Sequence, residues 1–258
     1  MRRAVLIGFE YKKDKVLPGI IVDLYQVYFF LKRIGWSDSE IIVFTDIKKD
    51  YQTEVLKAAI LEQTVDSHIL SFIQDTKDRG QYKEFQSHSH YNNFSSLFTE
   101  SDYTFVYYSG HAKDQNLILP NNSCISFDHF KSYLSISETF LIMDCCEGGI
   151  QLPFLLHEKL YRLNPDCSTF LSSKMICISS SLIHENSVTS ISGSFFTREL
   201  ITLLEKIKLT LLMSQMKKKT KIGNISVSHP NIYGVFPWMF KFPCLSISLN
   251  SHFIEISK

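Results

Sequence analysis

Short apolar segments, each ending at polar residues or glycine, constrain the fold of this chain more than any other feature. Runs of about four to eight such residues are typical of β-strands that are buried on both faces. Segments with helical spacing lie between several of them, and this alternation predicts an α/β fold with a mostly parallel central sheet flanked by helices on both faces. The predicted strands cover residues 4–9, 41–45, 103–108, 140–143 and 174–179.

The spacing of apolar residues also predicts three helices. The first follows a Leu-Pro-Gly turn at 17–19 and ends at Gly35, and the other two cover residues 51–61 and 196–213. The polar segment 74–96 is interpreted as a long exposed loop, or as helix ends around one. The last forty residues favour β-structure interrupted by proline.

Composition and charge limit the classes of function. Hydrophobic residues make up 45% of the 258 residues, which excludes a disordered chain. A net charge of +1 indicates neither a general nucleic-acid-binding protein nor a membrane-surface protein. The six cysteines include no C-x-x-C pair, so neither a disulfide framework nor a zinc site is predicted. The amino-terminal apolar run stops at Gly8, and the sequence predicts a cytoplasmic protein without membrane or nucleic-acid partners.

Two predicted strands end in residues with catalytic chemistry. Ser-Gly-His at 109–111 follows the third strand, and Asp-Cys-Cys at 144–146 follows the fourth. Sites in parallel sheets lie at the carboxyl ends of the strands, and neighbouring strands are about 5 Å apart. The two segments can therefore bring an imidazole and a thiol together, so that His111 activates a cysteine nucleophile. Because side chains alternate along extended backbone, we expect one of the adjacent cysteines to face the site and the other to face the core.

Each of these residues also has an ordinary interpretation. A lone buried cysteine is usually a small hydrophobic residue, and a histidine beside glycine is usually part of a loop. The occurrence of both at two strand ends, in this order, favours the catalytic interpretation.

Motifs around both strand ends resemble one known family. Residues 107–111, Tyr-Tyr-Ser-Gly-His, match its Tyr-Ser-Gly-His-Gly histidine motif, except that Ala112 stands where the motif ends in glycine. Residues 144–146 match its Asp-x-Cys motif. On these residues the chain resembles the caspase, metacaspase and paracaspase superfamily of cysteine peptidases, and metacaspases and paracaspases most. Further similar segments are 3–8, 17–19, 22–24, 44–46, 178–181, 185–187 and 193–197. The resemblance implies a single caspase-like peptidase domain over 1–258, large-subunit-like at 1–165 and small-subunit-like at 172–258.

The resemblance also implies roles for individual residues. It identifies Cys146 as the nucleophile and His111 as the general acid and base. It places the backbone N–H groups of Ala112 and Cys146 in the oxyanion hole. It adds Asp23 and Ser109 as partners in the pocket for the substrate residue before the cut bond, called P1.

Charge predicts what that pocket binds. Asp144 stands where true caspases carry a glutamine, and a carboxylate beside the nucleophile favours a cationic side chain and rejects an acidic one. Together with Asp23 it predicts cleavage of protein or peptide substrates after Arg or Lys. The alternative for Asp23 is a solvated carboxylate in the first turn of a helix.

Three departures from the family pattern affect these expectations. Ala112 replaces a glycine, and alanine tolerates a positive φ angle poorly. Glu147 adds negative charge beside the nucleophile, which would raise the pKa of the thiol. Pro153 and Phe154 stand where many metacaspases carry acidic calcium ligands. The sequence therefore predicts no metal and no cofactor, with calcium activation as an open alternative.

Other functions are open on the same fold. A weak or inactive pseudopeptidase would act as a regulatory binding module through an exposed sheet edge, and a third alternative is acyl transfer or non-peptide hydrolysis. A basic P1 preference would also permit self-processing at Lys159, Arg162 or Lys174, between the two subunit-like halves. Both a monomer and a homodimer are compatible with the sequence.

Overall fold

The structure is a computed structural model. It describes residues 1–11, 16–48, 54–62, 66–86, 94–98, 101–134, 137–148, 154–157, 160–163, 175–181, 186–206 and 224–227. The strands are β1 (Arg2–Gly8), β2 (Ile41–Thr45), β3 (Tyr82–Glu84), β4 (Tyr103–Ser109), β5 (Ala112–Lys113), β6 (Asn116–Ile118), β7 (Cys124–Ser126), β8 (Glu138–Asp144), β9 (Phe154–His157), β10 (Leu160–Leu163), β11 (Met175–Ser179), β12 (Thr189–Ser190), β13 (Gly193–Ser194) and β14 (Asn224–Val227). The helices are α1 (Ile20–Arg33), α2 (Glu54–Leu61), α3 (Ile69–Asp78), α4 (Phe127–Leu134) and α5 (Phe195–Lys206).

The central sheet has the order β10-β9-β14-β11-β8-β4-β1-β2-β3. Its six strands from β11 to β3 are all parallel, while β14, β9 and β10 extend one side in antiparallel pairing. The registers pair Gly8 with Ser109 and Ser109 with Asp144, so the carboxyl ends of three central strands lie level. The predicted mostly parallel α/β fold is confirmed.

Strand residues alternate between two buried clusters, one on each face of the sheet. Along β1, Ala4 and Leu6 belong to the first cluster, and Val5 and Ile7 belong to the second. Helices α1, α3 and α5 contribute to the first cluster, whereas α4 and the three-stranded sheet β5–β7 contribute to the second. Helices therefore cover both faces, which explains why the strands are apolar without alternation.

The first predicted helix is α1, and Gly35 follows it with a φ angle of 89°, a left-handed conformation suited to glycine. The interpretation of 74–96 as an exposed loop is wrong for β3, which pairs in parallel with β2. The strand has only three residues, Tyr-Lys-Glu, and is held by pairing with β2 and by the Tyr82 hydroxyl, which donates to the Ile47 carbonyl oxygen at 2.6 Å, so no apolar pattern marks it. Of the helix predicted at 196–213, residues 207–213 lie outside the described residues.

The end of the predicted large-subunit-like half supplies β9 and β10 at one side of the sheet. Arg162 lies in β10, which pairs with β9, whereas Lys159 and Lys174 lie outside the described residues. The carboxyl-terminal residues that the structure describes, β14, pair antiparallel with β11. Where the chain is described, no helix is long and apolar enough to cross a membrane.

Candidate active site

The loops that carry His111 and Cys146 begin at paired positions of neighbouring strands. Ser109 of β4 pairs with Asp144 of β8, and the Gly110 N–H donates to the Asp144 carbonyl oxygen at 3.3 Å. His111 and Cys146 each lie two residues beyond that pair, and both are half-buried. The parallel register thus places the two loops side by side at the carboxyl edge of the sheet.

The two adjacent cysteines have different surroundings. Cys145 is buried in the second core cluster, and burial, followed by the charge of Asp144, raises the pKa of its thiol well above the ordinary value. Cys146 is half-buried, and its Sγ lies 3.8 Å from the carbonyl oxygen of Ser187. A buried thiol with a raised pKa is a poor nucleophile, so the arrangement favours Cys146 as the reactive cysteine.

A serine after β11 holds the loop that follows the cysteines. The Ser181 hydroxyl accepts the Gly148 N–H at 3.0 Å and donates to the Cys145 carbonyl oxygen at 2.8 Å. Gly148 itself packs against Cys145, because a Cβ at this position would lie 3.0 Å from that same carbonyl oxygen. Ser181 lies in one of the segments that resemble the family, but no role for it was predicted from the sequence.

Ala112 occupies a position that does not require glycine. It opposes Leu117 in the antiparallel β5–β6 pair, where the Ile118 N–H donates to the His111 carbonyl oxygen at 3.0 Å. This pairing leaves the Ala112 N–H pointing away from β6. Among the described residues other than glycine, positive φ angles occur at Tyr11, Asp114, Gln115, Asn122 and Glu147. Because Ala112 is described and is not one of them, the concern about a positive φ angle does not apply.

Glu147 links the two loops. Its backbone is left-handed, with φ at 52°, and its Oε2 accepts the Asp114 N–H at 2.7 Å. Asp114 lies in the turn between β5 and β6, directly after the strand that follows His111. The Glu147 carboxylate was expected only to oppose formation of the thiolate. Its hydrogen bond with Asp114 also connects the loop of His111 to the loop of Cys146.

Two buried carboxylates, those of Asp23 and Asp144, interact electrostatically near these loops. Asp23 of α1 is fully buried; its Oδ1 accepts the Ser194 N–H at 2.7 Å and its Oδ2 accepts the Ser109 hydroxyl at 3.4 Å. Asp144 is also buried and accepts hydroxyl groups from Ser187 at 3.1 Å and Thr197 at 2.6 Å. The alternative of a solvated Asp23 is wrong, because α1 packs this turn against the sheet.

Burial controls the protonation of this acidic cluster, which consists of Asp23 and Asp144. Burial raises the pKa of Asp23 well above its ordinary value, and the charge of Asp144 raises it further, against the Ser194 N–H and the Ser109 hydroxyl. Burial also raises the pKa of Asp144, while hydroxyl donors, Thr197 among them, oppose the shift. In the described part of the chain, the groups that hydrogen-bond to these carboxylates are hydroxyls and backbone amides, and none is a cation.

Three residues of the small-subunit-like half donate hydrogen bonds to the acidic cluster and were not predicted as site residues: Ser187, Ser194 and Thr197. They come from the loop before β12, from β13 and from the first turn of α5. The Tyr107 hydroxyl lies 2.7 Å from Thr197 Oγ1, which donates onward to Asp144. All three lie in segments that resemble the family and are rich in hydroxyl side chains. This composition is the sequence feature from which their role could have been predicted.

Gly193 lets β13 approach Asp23. Its φ angle is 91°, and a Cβ at this position would lie 2.6 Å from Asp23 Oδ1. A side chain here would displace the carboxylate from the Ser194 N–H.

The described residues contain no group of three or more His, Cys, Asp and Glu side chains that could hold a metal ion. Of the two positions where calcium ligands were sought, Pro153 lies outside the described residues and Phe154 begins β9.

Comparison with known proteins identifies the family. A family model of the caspase domain matches residues 1–233, so the chain belongs to the caspase-domain family, a family of cysteine endopeptidases. Among solved structures, the chain is similar to caspase-1 from Spodoptera frugiperda at 15% sequence identity, with a TM-score of 0.46 over 88% of this chain and 86% of that chain. A comparison with curated proteins gives no match.

Proposed function

We propose that this protein is a cysteine endopeptidase of the metacaspase or paracaspase type that cleaves after Arg or Lys. Cys146 is the nucleophile and His111 is the general acid and base. The observation that carries the proposal is the buried acidic cluster beside Cys146, whose hydrogen-bond partners in the described residues are all uncharged.

A cation is the ligand that such a cluster favours. Two buried carboxylates cannot both ionise at low cost, because each raises the energy of the other. A guanidinium or ammonium group would supply the missing positive charge and several N–H donors at once. An aspartate at P1 would instead add a third carboxylate, so the pocket discriminates against it.

Ser187 joins the pocket to the nucleophile. Its hydroxyl donates to Asp144 Oδ1 at 3.1 Å, and its carbonyl oxygen lies 3.8 Å from Cys146 Sγ. A P1 side chain that reaches Asp144 competes with the Ser187 hydroxyl for this carboxylate. Because Ser187 also contacts the Cys146 thiol, P1 binding alters a contact of the nucleophile.

The parallel register, which starts the His111 and Cys146 loops at paired positions, supports the following reaction. His111 takes the thiol proton, and the Cys146 thiolate attacks the carbonyl carbon of the peptide bond. The N–H groups of Ala112 and Cys146 stabilise the oxyanion, and His111 returns the proton to the leaving amine. Water then hydrolyses the thioester and releases the carboxylate product.

The structure also bears on the inactive alternative. Ala112 adopts its conformation without a positive φ angle, and the Glu147 carboxylate has a backbone N–H partner. The two substitutions that favoured a pseudopeptidase are therefore accommodated, which supports an active enzyme. Self-processing, a cytoplasmic location and the oligomeric state stay predictions.

Cleavage of three fluorogenic peptides that differ only at P1 (Arg, Lys or Asp) tests the proposal. We expect the wild-type protein to cleave the first two, and Cys146→Ala to abolish cleavage. Cys124→Ala is the matched control, because Cys124 is an exposed thiol of β7 outside the site. Parallel assays with and without calcium test the cofactor.

Cleavage only after Asp would overturn the pocket assignment but not the nucleophile. No cleavage at all, together with alkylation of Cys146 no faster than that of Cys124, would support the regulatory binding module instead.

A further inference from the structure

We propose that Tyr11 is a positioning residue that holds His111 in its catalytic orientation. The inference rests on the proposed function, since it gives His111 the role of acid and base. It concerns a residue that lies after β1, a hundred positions before the histidine in the chain.

The backbone of Tyr11 is strained. Its φ angle is 59°, in the left-handed region that aromatic residues rarely adopt. The carboxylate of Asp46, directly after β2, accepts the N–H groups of Glu10 at 2.8 Å and of Tyr11 at 3.1 Å. This carboxylate therefore fixes the turn. Strain that is held in place by a dedicated partner indicates a functional constraint.

The strained turn points the Tyr11 side chain at His111. The Tyr11 hydroxyl accepts the His111 N–H at 2.8 Å and donates to the Ile118 carbonyl oxygen at 2.6 Å. On the other side of the same residue, the Tyr108 hydroxyl donates to the His111 carbonyl oxygen at 2.8 Å. Two phenols thus hold both polar groups of the His111 backbone.

The imidazole itself also contacts Tyr11. The two ring centroids are 4.5 Å apart with an interplanar angle of 45°. Gly110 permits this approach, because a Cβ there would lie 2.7 Å from the Tyr11 hydroxyl and 2.9 Å from the Tyr108 hydroxyl. The Tyr11 side chain therefore restrains both the backbone and the ring of His111. Displacement of a catalytic base from its productive position lowers the reaction rate strongly.

The restraint does not change with pH in the working range of a peptidase. Burial raises the pKa of the Tyr11 hydroxyl well above its ordinary value, so this group stays protonated and keeps its donor. Tyr11 therefore affects the reactivity of Cys146 by positioning His111.

The pH dependence of Cys146 alkylation in Tyr11→Phe separates positioning from simple core packing. Phenylalanine keeps the ring and removes the hydroxyl. Alkylation by iodoacetamide is followed from pH 5 to pH 9 by mass spectrometry, with the Cys146 adduct resolved from that of Cys145 by fragmentation. Tyr25→Phe is the matched control, because the Tyr25 hydroxyl donates to Asp66 at the surface.

We expect Tyr11→Phe to move the pH profile of Cys146 alkylation towards that of the exposed Cys124, because a displaced His111 no longer takes the thiol proton, and to lower kcat about tenfold with little change in KM. Tyr25→Phe should leave both unchanged. A folded Tyr11→Phe protein with the wild-type profile and kcat would overturn the inference.

Asp46→Asn provides a second variant if Tyr11→Phe does not fold. It keeps the phenol but replaces one oxygen that accepts a backbone N–H, so the profile should move in the same direction by a smaller amount. An unchanged profile in folded Asp46→Asn would equally overturn the inference. A wild-type profile that already resembles that of Cys124 would instead contradict the proposed Cys–His dyad, whatever Tyr11 does.

Discussion

Neighbouring tyrosines of β4 support the two halves of the site from opposite faces of the sheet. Tyr107 belongs to the first core cluster and contacts Thr197, which donates to Asp144, whereas Tyr108 belongs to the second cluster and donates to the His111 backbone. The pocket half is thus built against α1 and α5. The histidine half is built against the β5–β7 sheet.

The two halves differ in the kind of group that holds them. The pocket half contains buried carboxylates with raised pKa values, so its stability depends on their protonation. The histidine half is held by neutral phenols and backbone groups. Under the proposed function, the pocket half would select the substrate by charge, while uncharged groups hold the histidine half in place.

The largest expected effect on stability is on the pocket half, from Gly193→Ala. The new Cβ would meet Asp23 Oδ1 at 2.6 Å, and the φ angle of 91° is unfavourable for alanine. We expect a loss of about 3 kcal/mol in the free energy of unfolding, measured with urea.

Gly80→Ala is the matched control for that measurement. Gly80 has a φ angle of 72° but nothing within 4 Å of its Cβ position, so it should lose only about 1–2 kcal/mol. Equal losses of unfolding free energy for the two variants would show that glycine is needed at 193 only for its backbone conformation, and not for the close approach to Asp23.

The pH dependence of stability gives the next effect. A carboxyl whose pKa is raised on folding binds its proton more tightly in the folded chain. The stabilisation is therefore present below the unfolded value and is lost as pH rises through the folded one. For Asp23, with an ordinary value of 3.8, and for Asp144, the free energy of unfolding should fall by up to about 1.4 kcal/mol per pH unit for each group.

Comparison with the double variant Asp23→Asn/Asp144→Asn isolates this slope. Arg2 lowers the pKa of Glu40 to about 2, which has the opposite sign, but that pair is present in both proteins and cancels in the difference. Identical slopes in urea titrations from pH 4 to pH 8 would contradict the account of the acidic cluster.

A smaller effect is expected on the histidine half, from Gly110→Ala. Its Cβ would press on the hydroxyls of Tyr11 and Tyr108, which lie at the ends of side chains and can shift slightly. We expect kcat to fall about fivefold, a barrier increase of about 1 kcal/mol, with an unchanged preference among P1 residues. A changed P1 preference would show that the two halves are not independent.

The sequence predicts the sheet and the reactive strand ends well, because local patterns encode them. The strand predicted at 41–45 is β2, and the polar residues after β4 and β8 meet as parallel pairing requires. Asp144 could be anticipated from its charge beside the cysteines, but Asp23 only through the resemblance, since the two residues come from distant segments that the fold brings together.

The supporting residues could not be predicted in the same way. Tyr11 lies in no periodic pattern, and its role depends on a strained φ angle and on contacts with residues about a hundred positions away. Ser187 contacts both Asp144 and Cys146 through a loop whose sequence has no apolar period. Short polar segments such as β3 and β5 are held by backbone pairing, which side-chain patterns do not report.

The most direct test of charge selection compares two peptides that carry arginine or its neutral isostere citrulline at P1. The kcat/KM ratio of the two peptides is measured for the wild type, Asp144→Asn and Tyr11→Phe. We expect the wild type to favour arginine about a hundredfold, Asp144→Asn to lose most of that ratio, and Tyr11→Phe to cleave both peptides more slowly at the wild-type ratio. Equal cleavage of the two peptides by the wild type, or a full ratio in Asp144→Asn, would contradict the account.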